Sequence, residues 1–376
     1  MKKKKQNLKF VRNIIIGILA LFVVAFIVNT APGYKRDKYK NLINLVIGDE
    51  NVTEKLQKPI YKDNNGAIYI SKEDIQELLD KTLYYDENEK MVIATSEVSV
   101  ASMKIGESKI NIKGTTVDTL GELVEKEGTI YIPIKDFKTV YNIEIKFLED
   151  QNVVIIDKLN EGMIKAEAEK KVKIRYKQRS LSKEIGTLNV GDTVSAFYTT
   201  SKGWRLIRTE DGIVGYVKAN VLTNEYILRQ DMPQKPKTGR ISAEIKDGTI
   251  LKIEQNKIII KDLLRLTDEE ITIKNTDTIK QNEKIWANLR IDNANLESYE
   301  TRTKIIKNIV SIAMRNDISG INIIGIEKTD LNRFIIELAP HLREVGIKIN
   351  IVTNDGHSEQ YEKDYTEIVD YIITTK

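Results

Sequence analysis

Residues 14–28 form an unbroken apolar run just behind a segment in which Lys2, Lys3, Lys4, Lys5, Lys9 and Arg12 supply six positive charges. No other feature narrows the possible folds so far. A helix packed on a globular core keeps a polar stripe toward solvent, and residues 14–28 have none. Basic residues followed by an apolar stretch make an export signal. Fifteen residues fall between a cleaved signal core of ~7–15 and a membrane span of ~17–25. Asn29, Thr30 and Ala31 extend the run. Ala31 has the small side chain that cleavage needs, but the rigid imide of Pro32 follows it directly. The sequence therefore predicts an uncleaved single-pass anchor at 1–33 in the cell membrane. Its basic N-terminus is cytoplasmic, and everything after about Ala31 is extracytoplasmic.

A chain of 376 residues exceeds one ordinary domain of roughly 150, so several small cores are expected. The 59 basic and 55 acidic residues nearly cancel once the N-terminal cluster is set aside. No folded segment concentrates the positive charge that a nucleic acid requires. The absence of cysteine removes disulfides, thiol nucleophiles and thiolate metal sites.

Beyond the anchor, residues 34–58 read as a polar, basic stalk with an apolar patch at 42–47. Residues 59–158 alternate short strands, at 67–70, 91–94, 109–112, 129–132 and 153–156, with two helices. The first helix is predicted over 71–79, with Ser71 as its N-cap and Asp74 three residues on; the second follows Pro133. This is a small α+β module. With Ile68-Tyr69-Ile70 and Ile130-Tyr131-Ile132-Pro133 at its strand-to-helix junctions, it resembles the copper amine oxidase N-terminal-like domain, used as a spacer. Both histidines of the chain, His341 and His357, lie far downstream, so the module has no imidazole for copper. No metal and no cofactor is expected.

Residues 170–224 hold five short β-like runs punctuated by Gly186, Gly191, Gly203, Gly212 and Gly215, the signature of a small barrel. Together with Gly203-Trp204 and Gly215-Tyr216-Val217, this pattern resembles a bacterial SH3 domain. The resemblance implies docking to peptidoglycan stem peptides, with Trp204 and Tyr216 as exposed, ligand-binding aromatics. A Gly-Trp pair equally serves such a fold by plugging its own core.

A short linker containing Pro233 and Pro236 precedes residues 239–376. Here strands at 284–289, 320–326, 348–353 and 371–374 alternate with helices at 303–316 and 330–345, which implies right-handed crossovers and a parallel sheet. A further helix over 258–266 would cover an edge of that sheet, and the acidic run 267–270 reads as a helix start. Several stretches carry a likeness: Lys284-Ile285-Trp286-Ala287, Gly320-Ile321-Asn322-Ile323, Phe334-Ile335-Ile336-Glu337-Leu338-Ala339-Pro340 and Ile368-Val369-Asp370-Tyr371-Ile372. This segment resembles family 18 glycoside hydrolases, the chitinase-like barrels.

That resemblance implies a strand with the pattern D-G-x-D-x-D-x-E, whose final Glu protonates the glycosidic oxygen while the substrate's own amide is the nucleophile. Ser319, Asn322, Ile324 and Ile326 stand at the four acidic positions. Glu327, the one candidate acid, comes one residue late. Strand alternation sends it to the helix layer unless a bulge at Gly325 reverses its direction. The 138 residues from 239 to 376 also fall short of the ~200 that a closed eight-stranded barrel needs, so an open, partly wound sheet is expected. His341 and His357 read as a surface and a loop residue.

The expected fold class is multidomain: a transmembrane helix, a small α+β module, an SH3-like β-barrel and a partial (β/α) barrel. The expected function is a non-catalytic envelope protein that binds peptidoglycan or a wall component. Two alternatives stand beside it: an N-acetylglucosaminidase using Glu327, and a protein-binding scaffold. Partners would be the membrane, a wall glycan or peptide, and a second copy or another protein at the edge of the open sheet, with no nucleic acid.

Overall fold

A computed structural model describes residues 42–159, 162–228, 237–246, 249–253, 258–274, 284–292, 294–324, 331–353 and 363–375. The anchor expected at 14–28 lies outside them. Among the described residues no helix is long and apolar enough to cross a membrane. The chain divides into two compact units: residues 42–61 with 143–228, and residues 62–142 with 237–375.

The first unit contains two sheets. In the smaller, β1 (Asn44–Ile47) lies parallel to β3 (Val153–Lys158), and β2 (Ile143–Leu148) runs antiparallel to β3 on its other side. The larger sheet is antiparallel and has seven strands: β4 (Met163–Ala168), β5 (Val172–Arg175), β6 (Glu184–Leu188), β7 (Thr193–Thr199), β8 (Trp204–Thr209), β9 (Val214–Lys218) and β10 (Leu222–Leu228). Their order is β6-β5-β9-β8-β7-β4-β10. This sheet wraps one core in which Ala166, Ile174, Leu188, Val194, Ile207 and Val217 meet. Two of its strands lie beyond the five runs expected from the sequence. β10 is exposed at every position after Leu222, so it lacks the apolar alternation that marks a half-buried strand. Val46, Val153 and Ile155 of the small sheet pack with Leu148 and Val214, which joins the two sheets into one body.

In the second unit, residues 62–142 carry one part of the segment expected as a single module at 59–158; its strand at 153–156 lies in the first unit, within β3. Ser71 caps α1 (Lys72–Leu78): its hydroxyl accepts from the Asp74 backbone N–H at 3.1 Å and donates to the Asp74 carboxylate at 2.6 Å. A five-stranded meander, Tyr84–Asp86, Met91–Thr95, Val100–Lys104, Lys109–Ile112 and Thr115–Asp118, completes this part.

The rest of this unit is an eight-stranded sheet. Its strands are β11 (Gly239–Lys246), β12 (Thr249–Ile253), β13 (Ile258–Thr267), β14 (Glu270–Ile273), β15 (Lys284–Asp292), β16 (Ile318–Ile324), β17 (Lys348–Thr353) and β18 (Tyr371–Thr375). Helix α2 (Tyr299–Arg315) connects β15 to β16, and α3 (Leu331–Glu344) lies between β16 and β17 in the chain. The order is β12-β11-β18-β17-β16-β15-β13-β14, parallel throughout except for the two antiparallel edge strands. The sheet is therefore a half-barrel. Ile305, Ile306, Ile309 and Ala313 recur at helical spacing on α2, as Phe334, Ile335, Leu338 and Leu342 do on α3. Both stripes bury against Ile321, Ile323, Ile349 and Ile351 on the convex face.

Two expectations are corrected here. Residues 258–266 form strand β13, not a helix, because the β-branched run Ile258-Ile259-Ile260 pairs in parallel with β15. The acidic run 267–270 is the turn of the β13–β14 hairpin, with Asp268 at φ +53°, not a helix start. Between residues 239 and 274 the described residues are thus strand and turn. They add two strands to each end of the sheet, β11 with β12 at one end and β13 with β14 at the other.

Gly320 on β16 has a packing reason. A Cβ there would lie 2.5 Å from Cδ1 of Trp286 and 2.6 Å from its Nε1. Gly320→Ala is expected to cost ~1–3 kcal/mol through displacement of the indole, read as a lower urea midpoint; an unchanged midpoint would refute this packing account.

Candidate functional site

Side chains alternate across a strand, so Gly320, Asn322 and Ile324 share the concave face of the half-barrel while Ile321 and Ile323 face the helices. The concave face is filled. Trp286, Ile324, Val352 and Ile373 pack there with Ile241, Ala243, Ile250 and Ile253 of the first two strands. The rings of Trp286 and Tyr371 lie 5.6 Å apart. Beneath this filling runs a ladder of buried amides. Asn350 Nδ2 donates to Asn322 Oδ1 at 2.8 Å, Asn322 Nδ2 to Asn288 Oδ1 at 3.1 Å, and Asn288 Nδ2 to the Ile250 carbonyl at 3.3 Å. β15, β16 and β17 hold the three asparagines in direct register. The last bond ties the central strand β15 to the edge strand β12, which also returns to within 8 Å of β13.

The residues at the acidic-motif positions can now be placed. Ser319 donates its hydroxyl to the Ile285 carbonyl at 3.0 Å. Asn322 is fully buried within the ladder, and Ile324, 8% exposed, belongs to the apolar filling. Ile326 and Glu327 lie outside the described residues, as does His357. Ser319, Asn322 and Ile324 supply no carboxylate to this face, so none of the three can protonate a leaving group or orient an amide by charge. His341, half-buried on α3, has its imidazole pKa lowered by burial.

The aromatics predicted in the seven-stranded sheet separate. Trp204 is only 6% exposed, which corrects the expectation of an open indole; Lys218 Nζ sits 4.5 Å above its ring and helps to close it off. Tyr216 is half-buried and its hydroxyl is 3.0 Å from that of Tyr198, a residue 52% exposed. Burial, and then the bond to Tyr198, push the Tyr216 phenol up to about 12.

One family comparison falls on the amino-terminal part of the chain. Residues 46–156 match the copper amine oxidase N-terminal domain family. The match takes in less than a third of the 376 residues and includes strands of both compact units. Copper does not fit these residues: 46–156 contain no histidine or cysteine, and among all described residues no group of three His, Cys, Asp or Glu side chains is placed to hold a metal.

A comparison with solved structures matches part of the chain to a chitinase from Chromobacterium violaceum ATCC 12472, 13% identical with a TM-score of 0.27, covering 37% of this chain and 55% of that one. The spore cortex-lytic enzyme SleL of Bacillus cereus is 14% identical with a TM-score of 0.27, covering 40% and 44%. SleL of Bacillus megaterium QM B1551 is 11% identical with a TM-score of 0.27, covering 49% and 56%. The chain spans about half the length of these enzymes. No curated protein matches it.

Sequence reasoning missed Tyr198 and the asparagine ladder. The ladder did leave a signal: Ala287-Asn288-Leu289, Ile321-Asn322-Ile323 and Ile349-Asn350-Ile351 each set one amide between apolar residues that face the helices.

Proposed function

We propose that this protein is a membrane-anchored cell-envelope protein that binds peptidoglycan or another wall component and carries a non-catalytic, family 18-like half-barrel. In this reading residues 14–28 are the anchor. The seven-stranded sheet is a bacterial SH3-type module, and Tyr216 with Tyr198 forms its contact surface. Trp204 serves that surface from within, as the buried ring beneath Lys218. One observation carries the non-catalytic part: the concave face, where a substrate would have to lie, is occupied by the chain's own Trp286, Ile324, Val352 and Ile373 and is tied across by the Asn288–Ile250 bond. A catalytic cleft needs open volume beside its acid, and this face has been given over to packing.

The test uses the full chain in detergent, mixed with purified sacculi and, separately, with an aryl N-acetylglucosaminide. Retention on sacculi is expected, with a several-fold loss in Tyr198→Ala and in Tyr216→Ala, because aromatic side chains dominate contacts of this kind. No turnover above that of Glu327→Gln is expected. Turnover abolished by Glu327→Gln would restore the hydrolase reading. Absence of retention would favour a protein-binding scaffold.

A further inference from the structure

Where β2 and β3 meet the seven-stranded sheet, the first unit encloses a cavity of about 670 Å³, within the range of small-ligand sites. Its charges are unevenly satisfied. Arg208 is neutralised by Asp157 through two bonds of 2.7 and 2.6 Å. Lys165 on β4 also lines the cavity, and its ammonium has one polar contact among the described residues, the Ser195 hydroxyl at 3.1 Å. That hydroxyl is itself engaged, donating to Met163 Sδ at 3.2 Å. Lys165 is half-buried beside Arg208 and Lys146; desolvation and then those two neighbours lower its pKa from the ordinary lysine value against the opposing pull of Glu210 and Asp157, and no carboxylate among the described residues is in ion-pair contact with it. Leu148, Ile155 and Leu228 give the cavity apolar walls.

We infer that this cavity is a binding site for a monocarboxylate on a small apolar body, such as the C-terminus of a short peptide, with Lys165 as the carboxylate's counter-ion. The apolar walls take the body and Lys165 takes the charge. A dianion such as phosphate is the poorer fit, because Glu210 and Asp211 also line the cavity and repel a second negative charge. The site is separate from the Tyr216 surface, so this inference stands or falls independently of sacculus binding.

The test is titration calorimetry of the full chain with N-acetyl-alanyl-alanine and with its C-terminal amide. The acid is expected to bind, and the amide at least tenfold more weakly. Lys165→Met should weaken the acid at least tenfold with an unchanged circular dichroism spectrum, while Lys165→Arg keeps most of the affinity. Equal binding of acid and amide by the unaltered protein, or binding of neither at millimolar concentration, would overturn the inference without recourse to any variant. So would a folded Lys165→Met that binds as tightly as the original.

Discussion

Glu337→Ala is expected to destabilise the unit containing the half-barrel by about 3–5 kcal/mol, the penalty for breaking a buried ion pair from one side. Glu337 on α3 is 1% exposed and accepts from Arg302 Nε at 2.9 Å and Nη2 at 3.1 Å. Arg333, one turn earlier on α3, adds a bond to Glu337 Oε1 at 2.6 Å. Arg302 on α2 is 2% exposed, and its Nη1 is held by the carbonyls of Leu296 and Glu297. It therefore cannot swing to water when the carboxylate goes, and a fixed guanidinium is left without a counter-charge. Arg333 reaches the Thr82 carbonyl at 2.6 Å, so the same carboxylate steadies the contact of α3 with the amino-terminal module. Urea unfolding followed by tryptophan emission, with hydrogen exchange of the α2 and α3 amides, reads the effect. A loss below about 1 kcal/mol, the level of an exposed pair, would show that the cluster is relaxed by water.

Asp157→Ala should have an effect of similar size in the other unit, about 3–5 kcal/mol, for the same physical reason. The side chains of Arg208 and Asp157 are 4% and 6% exposed, and Arg208 also donates to the Gly48 carbonyl after β1. This pair links the small sheet to the seven-stranded one at a place where the apolar contact is limited to a few side chains. The double replacement Asp157→Ala with Arg208→Met should recover a large part of the loss, because removing both charges leaves nothing buried and unpaired. Strictly additive losses in the double variant would mean that the two residues stabilise the unit through separate contacts.

Much of the local structure could be read from residue patterns. Lys109–Ile112 and Lys348–Thr353 form strands where the sequence placed them, and the Ser71 cap sits where Asp74 predicted it. The strongly periodic helices α2 and α3 were found to within a few residues, since a stripe such as Ile305, Ile309, Ala313 has no other regular solution. The failures share a cause. Residues 258–266 and β10 carry no clean period of their own, and only pairing with a distant strand decides their conformation. The indole of Trp204 was misplaced because Gly-Trp marks a turn without saying which side of the sheet the ring enters.

The sequence by itself determined the basic-apolar start, the absence of thiol chemistry and of any histidine within residues 46–156, the alternation of strands and helices after residue 284, and the non-acidic residues at Ser319, Asn322, Ile324 and Ile326. Those are properties of short segments and of residue type. Only the tertiary structure decided that the concave face of the half-barrel is packed shut, that three asparagines share one register, and that Lys165 faces a cavity without a paired carboxylate among the described residues. Each of those depends on residues tens of positions apart being brought within a few ångströms, and no local period or spacing encodes that distance.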